Sequence, residues 1–296
     1  MKGILNLLKP PGPTSHDMVD QVRKKLQIKK VGHTGTLDPG ACGVLPLTIG
    51  KATKISDYII SQDKEYIFEL TLGVSTDTLD SEGNTIEEVT VTEKNEKQLL
   101  VGYQNLIGSI KQVPPMYSAI KRGGKKLYEL ARSGETVKRE PRDVSIYDLQ
   151  LKHTYLHNNK KRFLFKVNCS KGTYIRVLAE DLAKIAGTIG YMSFLLRTKT
   201  SSFTIDNAIR YEEFIDAKDE ELYNYIVTMD KALIEFPRIK LNEKNSSFFR
   251  SGNAVDINIS NINEPSIYRV YDEKEEFLGL GKEISHGKLK PEKVLV

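Results

Sequence analysis

Residues 31–43 read Val31-Gly32-His33-Thr34-Gly35-Thr36-Leu37-Asp38-Pro39-Gly40-Ala41-Cys42-Gly43. Four glycines in so short a stretch imply special backbone angles and close approach of another chain segment. Asp38-Pro39 sets a carboxylate at a turn, and the proline ring fixes the geometry that follows. Two readings stay open on these residues alone. An Asp ahead of Pro starts turns and caps helices, and functional residues gather on such loops.

Working outward, Ile4–Leu8 reads as a short strand, stopped by the stiff turn Pro10-Pro11-Gly12-Pro13. Thr14 or Ser15 then caps a helix whose apolar positions Met18, Val19, Val22 and Leu26 keep helical spacing. Ile55, Tyr58 and Ile59 mark another short helix. From 64 to 72 the residues alternate, with Tyr66, Phe68, Leu70 and Leu72 on one face, so a half-buried strand is expected. Residues 75–95 are polar and acidic and read as a surface connection. Phe163, Phe165, Val167 and Cys169 alternate in a second strand, and Leu178, Leu182 and Ile185 describe a helix that Gly187 can end. The composition shifts near 232–245. Beyond it the short apolar runs Ile267–Tyr271 and Phe277–Leu280 suggest a small all-β unit. The class is α+β, with residues 1–232 as one unit and 233–296 as the other.

The chain of 296 residues is 39% hydrophobic, enough for a sizeable core. No apolar run approaches the roughly 18–20 residues that span a bilayer, and the apolar start is too short for a secretory signal. A cytoplasmic protein is the default. Two cysteines, Cys42 and Cys169, make neither a disulfide framework nor a Cys-rich zinc site. The five histidines lack paired spacing with a carboxylate, so no metal is expected. Gly50-Lys51-Ala52-Thr53 fails as a phosphate loop, because Leu45 stands where a glycine is required.

The net charge is +5 and unevenly spread. Segment 23–30 and segment 121–142 each carry +5, so the remainder of the chain is net acidic. Concentrated positive charge of this kind suits a polyanion, although it also fits two solvated faces. Segment 114–142, which opens on Pro114-Pro115 and contains Gly123-Gly124, reads as an excursion from the core.

The loop GHTGTLDPGACGVLP resembles the signature loop of the tRNA pseudouridine synthase B family. Three further stretches resemble that family's motifs in order: Lys9-Pro10-Pro11-Gly12-Pro13-Thr14-Ser15-His16-Asp17, Pro114-Pro115-Met116-Tyr117-Ser118-Ala119-Ile120-Lys121, and Cys169-Ser170-Lys171-Gly172-Thr173-Tyr174-Ile175-Arg176. The resemblance implies a mixed, mainly antiparallel sheet flanked by helices. It also implies a thumb-like insertion over about 114–142 and a C-terminal PUA-like RNA-binding domain. It implies a cofactor-free enzyme that isomerises uridine 55 in the T loop of tRNA to pseudouridine. No obligate protein partner is inferred from the sequence, and a monomer is the expectation. Asp38, Tyr66 and Arg176 match the catalytic set. His33, Tyr174, Leu195, Lys9 and Lys121 match positions that meet the substrate. The chain departs from the family at Cys42, where Thr or Ser is usual, and at Leu196, where a second Arg is usual.

These residue types suit the chemistry. Pseudouridine formation breaks N1–C1′ and joins C5 to C1′ with no atom gained or lost, so no redox cofactor is required. A carboxylate can serve as nucleophile or base without a metal, and a guanidinium favours its ionised form. Tyr66 can stack on the base and assist proton removal from C5. The target base must be extruded from its loop, and an imidazole such as His33 can stack in the vacated space. Two other classes of function remain open: a tRNA-folding factor in which modification is secondary, and an RNA-binding protein with an inactive site. If segment 121–142 grips an RNA backbone, tRNA affinity should fall at least about tenfold between ~50 and ~200 mM salt. A flat response in a filter-binding titration would remove that segment from the interface.

Overall fold

The computed structural model describes residues 1–257, 267–285 and 287–296. A mainly antiparallel sheet carries the larger unit. Among its eleven strands are β1 (Gly3–Lys9), β2 (Val31–His33), β3 (Cys42–Ile49), β4 (Lys64–Leu72), β5 (Gly108–Gln112), β6 (Arg142–His157), β7 (Lys160–Cys169), β8 (Gly190–Thr200) and β9 (Ile209–Arg210). Their order is β9-β1-β3-β8-β4-β7-β6-β5, with β2 paired to β3. Two contacts are parallel, β9 on β1 and β8 on β3. A second sheet is built from β10 (Arg238–Lys240), β11 (Val255–Asp256), β12 (Ile267–Tyr271), β13 (Phe277–Ser285) and β14 (Lys288–Val294), in the order β10-β12-β13-β14-β11. The class is α+β, as expected.

Three helices matter for the site. In α1 (Ser15–Leu26), Thr14 accepts from the Asp17 N–H while the Asp17 carboxylate accepts from the Thr14 N–H, a reciprocal cap worth about 1 kcal/mol. Met18, Val19 and Val22 are buried against Leu5, Leu7, Leu45 and Leu47. Helices α2 (Glu93–Gly102) and α3 (Ile175–Ile185) cover the other half of the sheet. Leu178, Ala179, Leu182 and Ala183 of α3 join Phe68, Leu70, Phe163 and Phe165 in the largest core cluster. The alternation read in 64–72 and 163–169 thus faces one helix-covered core.

The segment read as a polar connection, 75–95, holds more order than expected. It includes a hairpin of Val74–Thr76 with Thr85–Glu88, and α2 begins within it. The excursion 114–142 folds into a small hairpin, Lys121–Arg122 with Lys125–Lys126, and the short helix Leu127–Arg132. The second sheet packs on the first through Leu280 and Leu295, which meet Ile4, Val44, Ile55 and Phe203.

Register decides where the site forms. One transverse row crosses the sheet: Lys9 opposite Gly43, Gly43 opposite Arg197, Arg197 opposite Tyr66, and Tyr66 opposite Val167. Gly43 has φ +108, and a Cβ there would stand 2.2 Å from the Arg197 carbonyl oxygen and 2.8 Å from its nitrogen. Those are backbone atoms of a central strand and cannot give way. Gly43→Ala should therefore lose about 3 kcal/mol by urea unfolding, from strain and overpacking together. A loss below ~1 kcal/mol would show that β3 and β8 can separate at little cost.

Candidate active site

Arg176 lies at the second residue of α3, where the helix dipole disfavours a cation. Two carboxylates offset this. Asp38 approaches its guanidinium at 3.1 Å and Asp80 at 3.3 Å. The remaining donors reach the carbonyls of Thr78 at 3.1 Å and Tyr117 at 2.8 Å. Arg176 is buried, so these bonds are strong and each lost partner would leave a buried charge exposed to apolar surroundings. The guanidinium joins four separate segments around one point.

The loop presenting Asp38 is held from below. Lys9 donates to the carbonyls of Pro10, Pro39 and Ala41 at 2.9, 2.9 and 2.7 Å. Ser15 accepts from the Leu37 N–H at 2.8 Å and donates to its carbonyl at 3.0 Å. The Ala41 N–H closes the turn on the Asp38 carbonyl at 3.1 Å. Lys9, expected to contact substrate, is instead fully buried with all three protons on backbone carbonyls. Burial pushes its ammonium down to about 8. Its reach is spent on the loop because β1 ends beneath it.

A cavity of about 540 Å³ opens above the row, lined by Asp38, Tyr66, Tyr174, Arg176, Leu195 and Arg197 among others. That volume suits a small molecule or one extruded nucleotide. Asp38 keeps 38% of its side-chain exposure there. Burial raises its pKa despite the opposing pull of Arg176, with Asp80 adding to the rise. The expected depression by the guanidinium is present, but it does not win. Burial also raises the Tyr66 phenol, to about 12, and the Tyr174 phenol. Leu195 supplies an apolar wall and its carbonyl accepts from the Cys42 thiol at 3.5 Å.

His33 and Lys121 stand outside the cavity lining. His33 is half-buried on β2, where its Nδ1 accepts from the Gly35 N–H at 3.4 Å. Burial, then Arg197 and His16, lower its pKa, so it is neutral at pH 7. Lys121 is exposed on the hairpin of the excursion, whose Ser118 and Ala119 do line the cavity. Of the five histidines, His286 lies outside the described residues.

Two residues of the site escaped the sequence reading. Asp80 sits in the polar 75–95 segment, yet it is 7% exposed and bridged to Met192 of β8. Nothing local marks it among its acidic neighbours. Arg197 is 1% exposed, and it donates to the carbonyls of Val44 at 2.7 Å and Gly35 at 3.2 Å. Its signal was available: it falls two residues after Leu195 in an alternating strand, a position pointing into the core.

Two family models match the chain. Residues 23–175 match the TruB family pseudouridylate synthase N-terminal domain, and residues 237–295 match the pseudouridine synthase II TruB C-terminal domain. The chain belongs to the TruB family of pseudouridine synthases. It is similar to tRNA pseudouridine synthase B of Alkaliphilus oremlandii, at 46% identity over 95% of this chain and 93% of that one. The protein of the same name from Caldanaerobacter subterraneus is 44% identical over 99% of this chain and 98% of its own. Among solved structures, a chain of a Cbf5-Nop10-Gar1 complex superimposes with a TM-score of 0.75 at 26% identity, covering 99% of this chain and 85% of that one. TruB membership makes the chain an isomerase.

The Asp38 shift has two consequences of known sign. A reaction that needs the ionised acid should lose rate on its acid limb at a pH above the ordinary carboxylate value of 3.8. The folded carboxyl titrates above its unfolded counterpart, so ionisation opposes folding once pH exceeds both values. Asp38→Asn should therefore melt no lower than the parent at pH 7, with any advantage shrinking as pH falls from the folded value towards the unfolded one, 3.8. A variant that melts well below the parent at pH 7 would show that the Asp38–Arg176 attraction outweighs burial.

Proposed function

We propose that this TruB-family enzyme isomerises uridine 55 in the T loop of tRNA, working as a cytoplasmic monomer. The observation that carries this reading is the Asp38–Arg176 pair at 3.1 Å within a cavity that also holds Tyr66 and Leu195. The names of the curated relatives support tRNA as the substrate. Among the described residues no helix is long and apolar enough to cross a membrane.

In this reading the extruded nucleotide enters the cavity with its sugar toward Asp38. Tyr66 faces the base and Leu195 packs on it, while Tyr174 closes a side. Asp38 acts at the sugar, either by adding to C1′ or by removing a sugar proton. Both routes need the carboxylate form. Arg176 serves each by keeping the acid oriented through a fixed guanidinium, which Asp80 and two carbonyls hold in place. After the uracil turns, C5 joins C1′ and the C5 proton is lost, while N1 gains one. His33 stacks where the base was, and its neutral imidazole suits that role. The basic excursion with Lys121 grips the backbone, and residues 233–296 form a separate RNA-binding domain.

The decisive experiment incubates purified protein with an unmodified tRNA transcript and maps pseudouridine by nucleotide. Modification should appear at uridine 55 without any added cofactor. Asp38→Asn should bind the transcript within about threefold of the parent yet form no product, since loss of the covalent or basic group removes the chemical step. Product from Asp38→Asn, or modification confined to another position, would overturn the reading.

A further inference from the structure

Arg197 is the least explained charge in the molecule. It is 1% exposed, and among the described residues it makes no ion pair with a carboxylate. Its donors go to the carbonyls of Val44 and Gly35, and it lies within hydrogen-bonding reach of the Tyr66 hydroxyl. The register explains the contact, because Arg197 and Tyr66 face each other across β8 and β4. A buried guanidinium without a counter-ion is expensive, and an apolar side chain of similar volume would serve packing better. A cation kept there against that cost points to an anion that it meets only during turnover.

Resting on the proposed function, we propose that Arg197 is a positioning residue for Tyr66, orienting the hydroxyl at the cavity and stabilising the phenolate formed when Tyr66 carries a proton between the two reacting atoms of the base. The protons balance without a co-reactant. The phenol gives its proton to N1 of the detached uracil and becomes phenolate. The phenolate then takes the proton from C5 after the new C5–C1′ bond has formed, and the phenol is restored. Without help this is hard, since burial holds the phenol at about 12, and Arg197 opposes that rise. The Asp38 carboxylate and the Cys169 thiol also face the phenol, and both disfavour the anion. The cavity walls add Lys64 from β4, Arg142 and Asp143 from β6, Lys171 from the loop before α3, and Arg176 from α3. Lys64 spends its protons on the carbonyls of Ile60 and Gln62, and Arg176 serves Asp38 and Asp80. Arg197 is the cation set directly across the strand pair from Tyr66, and both side chains line the cavity.

Single-turnover formation of pseudouridine on a tRNA transcript tests this. Arg197→Met should be about a hundredfold slower, the scale of a general acid–base contribution. The fall in rate at high pH, where the phenol ionises before turnover, should move to higher pH than in the parent, while tRNA affinity stays within about threefold. Arg197→Lys, which keeps the charge, should recover about tenfold or more of the lost rate. In a Tyr66→Phe background, Arg197→Met should change the rate less than about threefold, because the partner is already gone. Equal losses in both backgrounds, or a pH profile that matches the parent, would reduce Arg197 to a structural role and overturn the proposal. Should Arg197→Met fail to fold, or Tyr66→Phe be too slow to measure, the 13Cζ titration of Tyr66 reads the same contact without turnover. It should move to higher pH in Arg197→Lys, whose ammonium lacks the planar fork, and an unmoved titration would overturn the proposal. An inactive parent would instead count against the functional reading itself.

Discussion

The site depends on two buried cations that hold backbone rather than carboxylates. Lys9 and Arg197 stand on one row across the sheet, on either side of Gly43. Between them they bind the carbonyls of Pro10, Gly35, Pro39, Ala41 and Val44. Hydrogen bonds from charged groups contribute about 1.5–3 kcal/mol each, and they must first offset the desolvation of two cations. The return is geometric. A glycine-rich loop that would otherwise sample many conformations is pinned on both flanks, so the carboxylate at its tip has one position.

Above that scaffold the electrostatics are deliberately unbalanced. One guanidinium at the unfavourable end of a helix serves two acids, and burial still leaves Asp38 with a raised pKa. An acid so placed is less contented as an anion than it would be in water, which makes it a better nucleophile or base than a fully neutralised carboxylate. Asp80 divides the attention of Arg176. It keeps the guanidinium in place, while its own charge adds to the burial that raises Asp38.

Much of this was legible before any coordinates. The alternation in 64–72 and 163–169 identified two central strands because one face of each is apolar. Asp38 stood out through its glycines and proline, and Arg176 through its place in a second motif. Asp80 did not stand out, because an acid inside a polar segment carries no local mark of burial. Arg197 had a mark, a cation at a core position of an alternating run. Lys9 was expected at the substrate because it sits in a family motif, whereas β1 buries it under the loop.

The sequence by itself determined the elements, the order of the motifs, and the chemistry available, since periodicity, turn residues and functional groups are local properties. Tertiary structure alone decided which of these groups meet. Strand register set Arg197 beside Tyr66, a parallel pairing set it beside Gly43, and helix α3 brought Arg176 to both acids. Those contacts join residues 96 to 154 positions apart, and the energy that selects them comes from packing the whole sheet against its helices, which no local pattern encodes.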